Sequence, residues 1–449
     1  MSEHETRLRM EQLLSEIHSD WIRTAARHTG DFSSWTRRRD MPLKDILMCT
    51  LAKKGLSTTM EVRHYFQAVK NVEQTVSKQD YLRQRQKLNP EVFKLLNRNY
   101  LKRFYSGEEA LQWHGYLVMA VDGSRHAASG MAEIPNSAEN RLTYGESINK
   151  YGKGVARTNL SALHDVFNRF ILDIGMHHYR SSEIEDAKAH IGALKEIVGE
   201  RPVLIMFDRN YESLEFMDIL EQEGVKYLIR LHKGNYEAER ARMRGADEEV
   251  ELVYTRARLG HLREKSPERM RELARQKSKR VRIIKTKFAN GEEAAFMTNL
   301  TEGTTADILR LYRKRWAIEQ KYHTLKNKLK FESVTGKASI YVEQDFWAQT
   351  LVFNMVQDLI TAAECRAVKR AKKKRLKYEV RINENIAIGL FKEQCIRLMI
   401  EENDSRKDEM FRQLTADMER NIVPIRTLKS APRKWKYFNK NKCNLKPSF

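Results

Sequence analysis

The sequence is short of proline and cysteine, and short of acid relative to base. Eight prolines in 449 residues, with no Ser/Gly-rich tract, leave little room for long flexible linkers. The four cysteines, Cys49, Cys365, Cys395 and Cys443, lie far apart and form no Cys-x-x-Cys pair. That excludes a disulfide framework and a cysteine zinc site, and a reducing compartment is expected. No apolar run approaches the roughly 18 residues that a membrane-spanning helix needs. Met1–Arg9 is polar and charged, so no signal peptide is expected there. Asp and Glu number 60 against 82 Lys and Arg, a formal net charge of +22. Nucleic acid is the commonest partner for such a chain, because each neutralised phosphate releases counterions. The bland alternative is a ribosome-associated or merely sticky basic protein.

The length allows two to four domains. Residues 1–112 read as a helical, DNA-binding domain. Leu43–Lys53 has the spacing of an amphipathic helix, Gly55-Leu56-Ser57 of a turn, and Thr58-x-x-Glu61 of a capping box, together a candidate helix-turn-helix. Ser77–Leu88 predicts a short helix whose Lys78, Arg83, Arg85 and Lys87 either lie along a DNA groove or form a solvated basic face.

Near residue 116 the pattern changes. Tyr116–Val121 is an unbroken apolar run ending at Asp122, and Val203–Phe207 is another ending at Asp208. Such runs are central strands buried on both faces. Further strands are expected over 160–166, 170–174 and 227–231, and helices over 182–198 and 213–223. The class is α/β with a mixed sheet. The catalytic core is expected over 113–234 and 301–340.

Between its two parts, 235–300 reads as a basic, β-rich insertion. Arg275–Lys287 holds seven basic residues in thirteen. Asn290-Gly291, between Val281–Phe288 and Glu293–Leu300, predicts a tight hairpin. A long helix is expected over 305–330, capped by Thr304 and Asp307, and another over 344–374. Residues 341–449 form a helical basic region suited to dimerisation and DNA contact. Its tail interleaves Trp435, Tyr437 and Phe438 with basic residues from Arg426 to Lys440. That pattern suits base stacking along a strand, or solvated disorder.

The chemistry concentrates in Tyr312–Lys326. On an unbroken helix at about 100° per residue, Tyr312, Arg315, Glu319 and Lys326 fall within about 60° of arc. An apolar stripe of Leu311, Ile318, Tyr322, Leu325 and Leu329 runs beside them. Alone, Arg315 and Glu319 would be an ordinary i, i+4 surface pair, and each Asp an ordinary turn residue. Their convergence changes the reading. Two aspartates leaving one sheet edge and a supported glutamate make a hard-oxygen site for magnesium or manganese. Two such ions can serve phosphoryl transfer.

Tyr312-x2-Arg315-x3-Glu319-x6-Lys326 resembles the Tyr-Arg-Glu-Lys signature of the insertion-sequence-four family of DDE transposases. Asp122-Gly123-Ser124 is similar to that family's first-Asp motif, and Asp208-Arg209-x-Tyr211 to its second. The resemblance covers roughly residues 40–440. It implies a ribonuclease H-like core with Asp122, Asp208 and Glu319 as catalytic metal ligands for two Mg²⁺ or Mn²⁺ ions. It implies cut-and-paste transposition through a hairpin intermediate, with double-stranded transposon ends and target DNA as partners. A homodimer on paired ends, in the bacterial cytoplasm and on the nucleoid, is implied too. Tyr312, Arg315 and Lys326 would hold terminal phosphates. Trp316 would stack on a flipped base, or, as large aromatics usually do, pack in a core. A ribonuclease H-like nuclease without strand transfer would not need the basic stripe. A domesticated DNA-binding transposase would be expected to lose a carboxylate. A packaging protein leaves the strand-end aspartates unexplained.

Overall fold

The computed structural model describes residues 3–37, 40–73, 76–123, 131–148, 151–288, 291–316, 318, 321, 324–325, 329 and 333–425. The chain divides into two compact units. One comprises Ala110–Met131 and Thr158–Lys321. The other comprises Met1–Glu109, Ala132–Arg157 and Tyr322–Phe449.

The first unit is built on a mixed sheet. Its strands are β1 (Leu117–Gly123), β2 (Gly154–Asp165), β3 (Ile171–His178), β4 (Val203–Phe207), β5 (Lys226–Arg230), β6 (Asp247–Val253), β7 (Ser278–Lys287) and β8 (Glu293–Thr298). They lie in the order β3-β2-β1-β4-β5-β8-β7-β6. β1, β4 and β5 are parallel, and the other neighbours pair antiparallel. Every residue of β4 is buried, as an unbroken apolar run in a central parallel strand must be.

Val118 and Ala120 on one face of β1 pack with Leu204, Met206, Ile308, Leu311 and Tyr312. Helix Glu183–Val198 covers the opposite face, where its His190 meets Ser161 of β2. The segment after β5 does not start a separate sheet. β7 and β8 form the expected hairpin, with Lys287 opposite Glu293 and Gly291 at φ +85°. β8 then pairs with β5, so the segment extends the core sheet. It also contributes short helices at Glu237–Arg242, Leu262–Lys265 and Pro267–Gln276.

The second unit is helical and surrounds Ser339–Lys373, a 35-residue helix buried along most of its first two-thirds. A buried carboxylate must be paired or neutral, and this helix carries two. Asp345 accepts from Arg85 at 2.8 Å, Lys53 at 3.1 Å and the Thr335 amide at 2.7 Å. Asp358 accepts from Arg9 at 2.8 Å, Tyr100 at 2.7 Å and Thr6 at 2.8 Å. These bonds fasten helices from the first hundred residues onto one near residue 350. Burial alone would raise the pKa of Asp345, but Arg85, Lys53 and Thr335 outweigh it and hold the carboxyl below its usual range.

Three local expectations are corrected. Leu43–Leu51 is helical but buried from Asp45 through Leu51, because it fills the bundle instead of facing solvent on one side. The Thr58/Glu61 capping box does not form. Ser57 takes the N-cap position, and Glu61 reaches back to accept from the amides of Lys54, Gly55 and Leu56. Helix Lys78–Arg85 is present, but Arg85 is wholly buried between the rings of Tyr81 and Tyr341 and is withheld from any DNA groove. Cys49, Cys365 and Cys395 are free thiols. No helix among the described residues is long and apolar enough to cross a membrane. The basic tail from Arg426 lies outside the described residues.

Asp345→Ala should cost about 3–5 kcal/mol, since it strands Arg85 and Lys53 in the interior. Urea unfolding at pH 7 reads this. The Asp345 contribution is present above the ordinary carboxylate pKa of about 3.9, because the folded value lies lower. It fades as pH falls through the folded value, so the gap between wild type and variant should narrow in acid. An unchanged midpoint at pH 7 would remove this pair from the account of the bundle.

Candidate active site

Asp122 sits one residue before the end of β1, and Asp208 immediately follows β4. In the parallel pairing of these strands Ala120 lies opposite Met206. Asp122 and Asp208 are each two residues further on, so they leave the sheet level with one another at the same edge. Asp122 shares its face of β1 with Val118 and Ala120, the face on which helix Thr305–Arg313 packs. Asp208 caps a short 3₁₀ turn, Arg209–Tyr211, and one carboxylate oxygen accepts from the Arg209 amide at 2.7 Å. Tyr211 is buried against Phe207 and Phe216, so in this motif the tyrosine fixes the turn that aims the aspartate.

The other oxygen of Asp208 faces Arg315. The buried guanidinium lies 3.6 Å from Asp122 Oδ1 and 4.0 Å from Asp208 Oδ2, bridging the two carboxylates. Arg315 is placed there by its helix. Thr304 and Asp307 form the expected capping box, and Ile308 and Leu311 anchor the next turns in the core. The helix does not run unbroken from 305 to 330. It ends at Arg313 and tightens into a 3₁₀ turn over Lys314–Trp316. A tighter turn advances the chain by a larger angle per residue, so the single stripe drawn on an ideal α-helix does not carry through this point.

Tyr312 lies before the tightening. Its ring packs edge-on against Phe296 at 4.6 Å and sits 5.8 Å from the Arg315 guanidinium. Its hydroxyl donates to the carbonyl of Phe207 at 3.2 Å. Burial pushes its pKa up to about 12, so it remains a donor. The structure therefore ties Tyr312 to the residue preceding Asp208.

Glu319 and Lys326 lie outside the described residues, as do Ser124, Asn290 and Tyr322; of Trp316 the backbone alone is described. Ile318, Leu325 and Leu329 of the expected apolar stripe are buried. Among the described residues no third His, Cys, Asp or Glu joins Asp122 and Asp208 in a metal-binding group.

Two features had no signal in the spacing. His164 on β2 lies opposite Ala120, on the face that carries Asp122. It is fully buried, and burial with the nearby Lys321 charge pulls its pKa down to about 3, which keeps the ring neutral. A cleft of about 470 Å³ is lined by Arg209, Arg230, Lys233 and Arg240, with Glu292 and Glu293 on its wall. These bases are scattered over 32 positions of sequence and are gathered by the ends of β4 and β5.

Residues 113–355 match a family model described as a transposase DDE domain. No curated protein matches the chain. Among solved structures, the piggyBac transposase synaptic complex with hairpin DNA, seen by cryo-electron microscopy, is similar at 9% identity. The match covers 95% of this chain and 86% of that one, with a TM-score of 0.41.

Tyr312→Phe should lower the stability of the sheet unit by about 1–2 kcal/mol, the loss of one buried hydrogen bond to a carbonyl. Hydrogen exchange at the amides of β4 and the Arg209–Tyr211 turn would show where. Unchanged protection there would mean that the hydroxyl does not brace the strand end.

Proposed function

The chain belongs to the family of transposase DDE domains, and from that premise we propose that it moves an insertion sequence by a cut-and-paste route through DNA hairpins. Membership makes it an enzyme of metal-dependent DNA cleavage and transfer, with DNA as its partner. The finer reading is that it is of the insertion-sequence-four type, with Asp122, Asp208 and Glu319 as the triad on a ribonuclease H-like core. One observation carries it. Two strand-end aspartates lie level at one sheet edge, under an arginine from the 3₁₀ turn that follows helix Thr305–Arg313.

The residues present fit a divalent cation. The donors are hard carboxylate oxygens, and the pair already draws one cationic side chain between them. Held by Asp122, Asp208 and Glu319, two Mg²⁺ or Mn²⁺ ions would supply Lewis acidity at the attacking and leaving oxygens.

The chain's own residues have separate tasks. The buried strands β1 and β4 hold two ligands rigid. Arg315 and Lys326 grip phosphates flanking the scissile bond, Arg315 in bidentate fashion. Tyr312 braces the end of β4, and reaches a phosphate only in exchange for its bond to Phe207. Trp316 is the candidate for stacking on a displaced base. The freed 3′-hydroxyl attacks the opposite strand to close a hairpin, and after reopening the 3′ end joins target DNA. Residues 1–112 bind the element ends, 235–300 extend the core of 113–234 and 301–340, and 341–449 serve dimerisation and DNA contact. The working form is a homodimer on paired ends in the bacterial cytoplasm.

Asp122→Asn, Asp208→Asn and Glu319→Gln should each abolish Mg²⁺-dependent cleavage of element ends, as should chelation of the metal, while gel-shift binding stays largely intact. Products are read on denaturing gels, where hairpins run as a species of doubled length. Normal cleavage by any of the three variants would sink the triad.

A further inference from the structure

The contact that Arg315 makes with the two aspartates differs from the short bonds that hold the buried carboxylates Asp345 and Asp358. Arg85 meets Asp345 at 2.8 Å, and Arg9 meets Asp358 at 2.8 and 2.9 Å. The half-buried Arg282 likewise meets Asp247 through two bonds of 2.7 Å. Those are directional hydrogen bonds within structural networks. Arg315 stands 3.6 Å from Asp122 and 4.0 Å from Asp208, beyond hydrogen-bonding reach of either. It is nonetheless buried, so the attraction is weakly screened. Arg315 thus sets its charge near both acids without a hydrogen bond to Asp122 Oδ1 or Asp208 Oδ2.

Two carboxylates that approach one another repel unless a cation lies between them. Before metal arrives, Arg315 is that cation. A divalent ion placed on the same two acids must take its place, because two cations on one carboxylate pair repel each other. Displaced, the guanidinium remains tethered beside the Tyr312 ring and the Asp208 edge, where a phosphate is the natural partner for its fork of donors.

We propose that Arg315 is a placeholder cation, which preassembles Asp122 and Asp208 and is exchanged for divalent metal as its guanidinium passes to a DNA phosphate. The exchange makes the two ligands cooperative. DNA that draws Arg315 away clears the carboxylates for metal, and metal that evicts Arg315 readies it for DNA. Such linkage is reciprocal by necessity. This rests on the assignment of Asp122 and Asp208 as metal ligands made above.

The test is Mn²⁺ binding to the DNA-free full chain, followed through the electron paramagnetic resonance signal of unbound Mn²⁺. Arg315→Gln should bind Mn²⁺ more tightly than wild type, by about fivefold or more, the low end of ordinary coupling between ligands. Arg315→Lys, which keeps the charge but lacks the guanidinium fork and its reach, should fall between and serves if the glutamine variant folds poorly. Arg310→Gln, at an exposed arginine on the preceding helix, should leave the affinity within about twofold and so controls for net charge. Asp122→Asn should lose the binding. If Asp122-dependent binding is present and both Arg315 variants bind as wild type or more weakly, the placeholder role is overturned and the metal ligands stand. If Mn²⁺ binding is indifferent to Asp122→Asn, the ligand assignment fails and the placeholder with it.

Discussion

The parallel pairing of β1 with β4 is the constraint on which the site depends. Two strands that run the same way end at the same edge, and the register of Ala120 with Met206 sets their terminal aspartates level. A slip of one residue would turn Asp122 to the opposite face of the sheet. The register is held by burial. All five side chains of Val203–Phe207 are inside, and each is worth about 1.5–3 kcal/mol when fully buried. The ligands thus inherit their precision from apolar packing that takes no part in the chemistry.

Much of this was legible in the sequence. Continuous apolar runs mark buried strands because both faces of a parallel sheet are covered, and β1, β4 and β5 lie where such runs stand. The Asn-Gly pair marks the β7–β8 hairpin through turn geometry, and the Thr304/Asp307 box marks a helix start. What escaped has a common cause. A helical wheel assumes constant twist, and Lys314–Trp316 breaks that assumption. A basic stripe on 78–87 looks like a DNA-facing surface until the fold supplies Asp345, which sits 260 positions from Arg85. Glu61 has the spacing of a cap, but the amides at Lys54, Gly55 and Leu56 compete for it and win. Local rules fail where a distant partner or an adjacent loop offers a better bond. In the site, the strand-end aspartates stand at the ends of legible runs, while the place of Arg315 between them and the commitment of Tyr312 to the Phe207 carbonyl had no local signal.

The protein treats charge in two ways. Where charge is structural, as at Asp345 and Asp358, each carboxylate is saturated by several short bonds and removed from exchange with solvent. The contacts of Arg315 with Asp122 and Asp208 are longer, and exposure rises toward Asp208, whose side chain is 32% accessible. A site that must accept and release charged ligands cannot be sealed as the bundle is. The neutral His164 beneath it keeps a further positive charge out of the same face. Nearby, Arg209, Arg230, Lys233 and Arg240 gather at the strand ends, outnumbering Glu292 and Glu293 in the same cleft.

The outermost strand of the sheet, β6, has its own consequence for how copies of this protein can meet. Exposed edge strands invite another strand to add alongside, and a two-fold pair of sheets joined edge to edge is one common result. Asp247, Glu249 and Glu251 alternate along β6, with Glu249 and Glu251 opposite Arg282 and Arg280 of β7. The inner neighbour therefore offers them opposite charge. A second β6 would offer them their own charge, strand against strand, and the repulsion is strongest when the backbones come close enough to bond. Self-association by sheet continuation is disfavoured at this rim, so a symmetric pair of molecules must find its shared surface elsewhere.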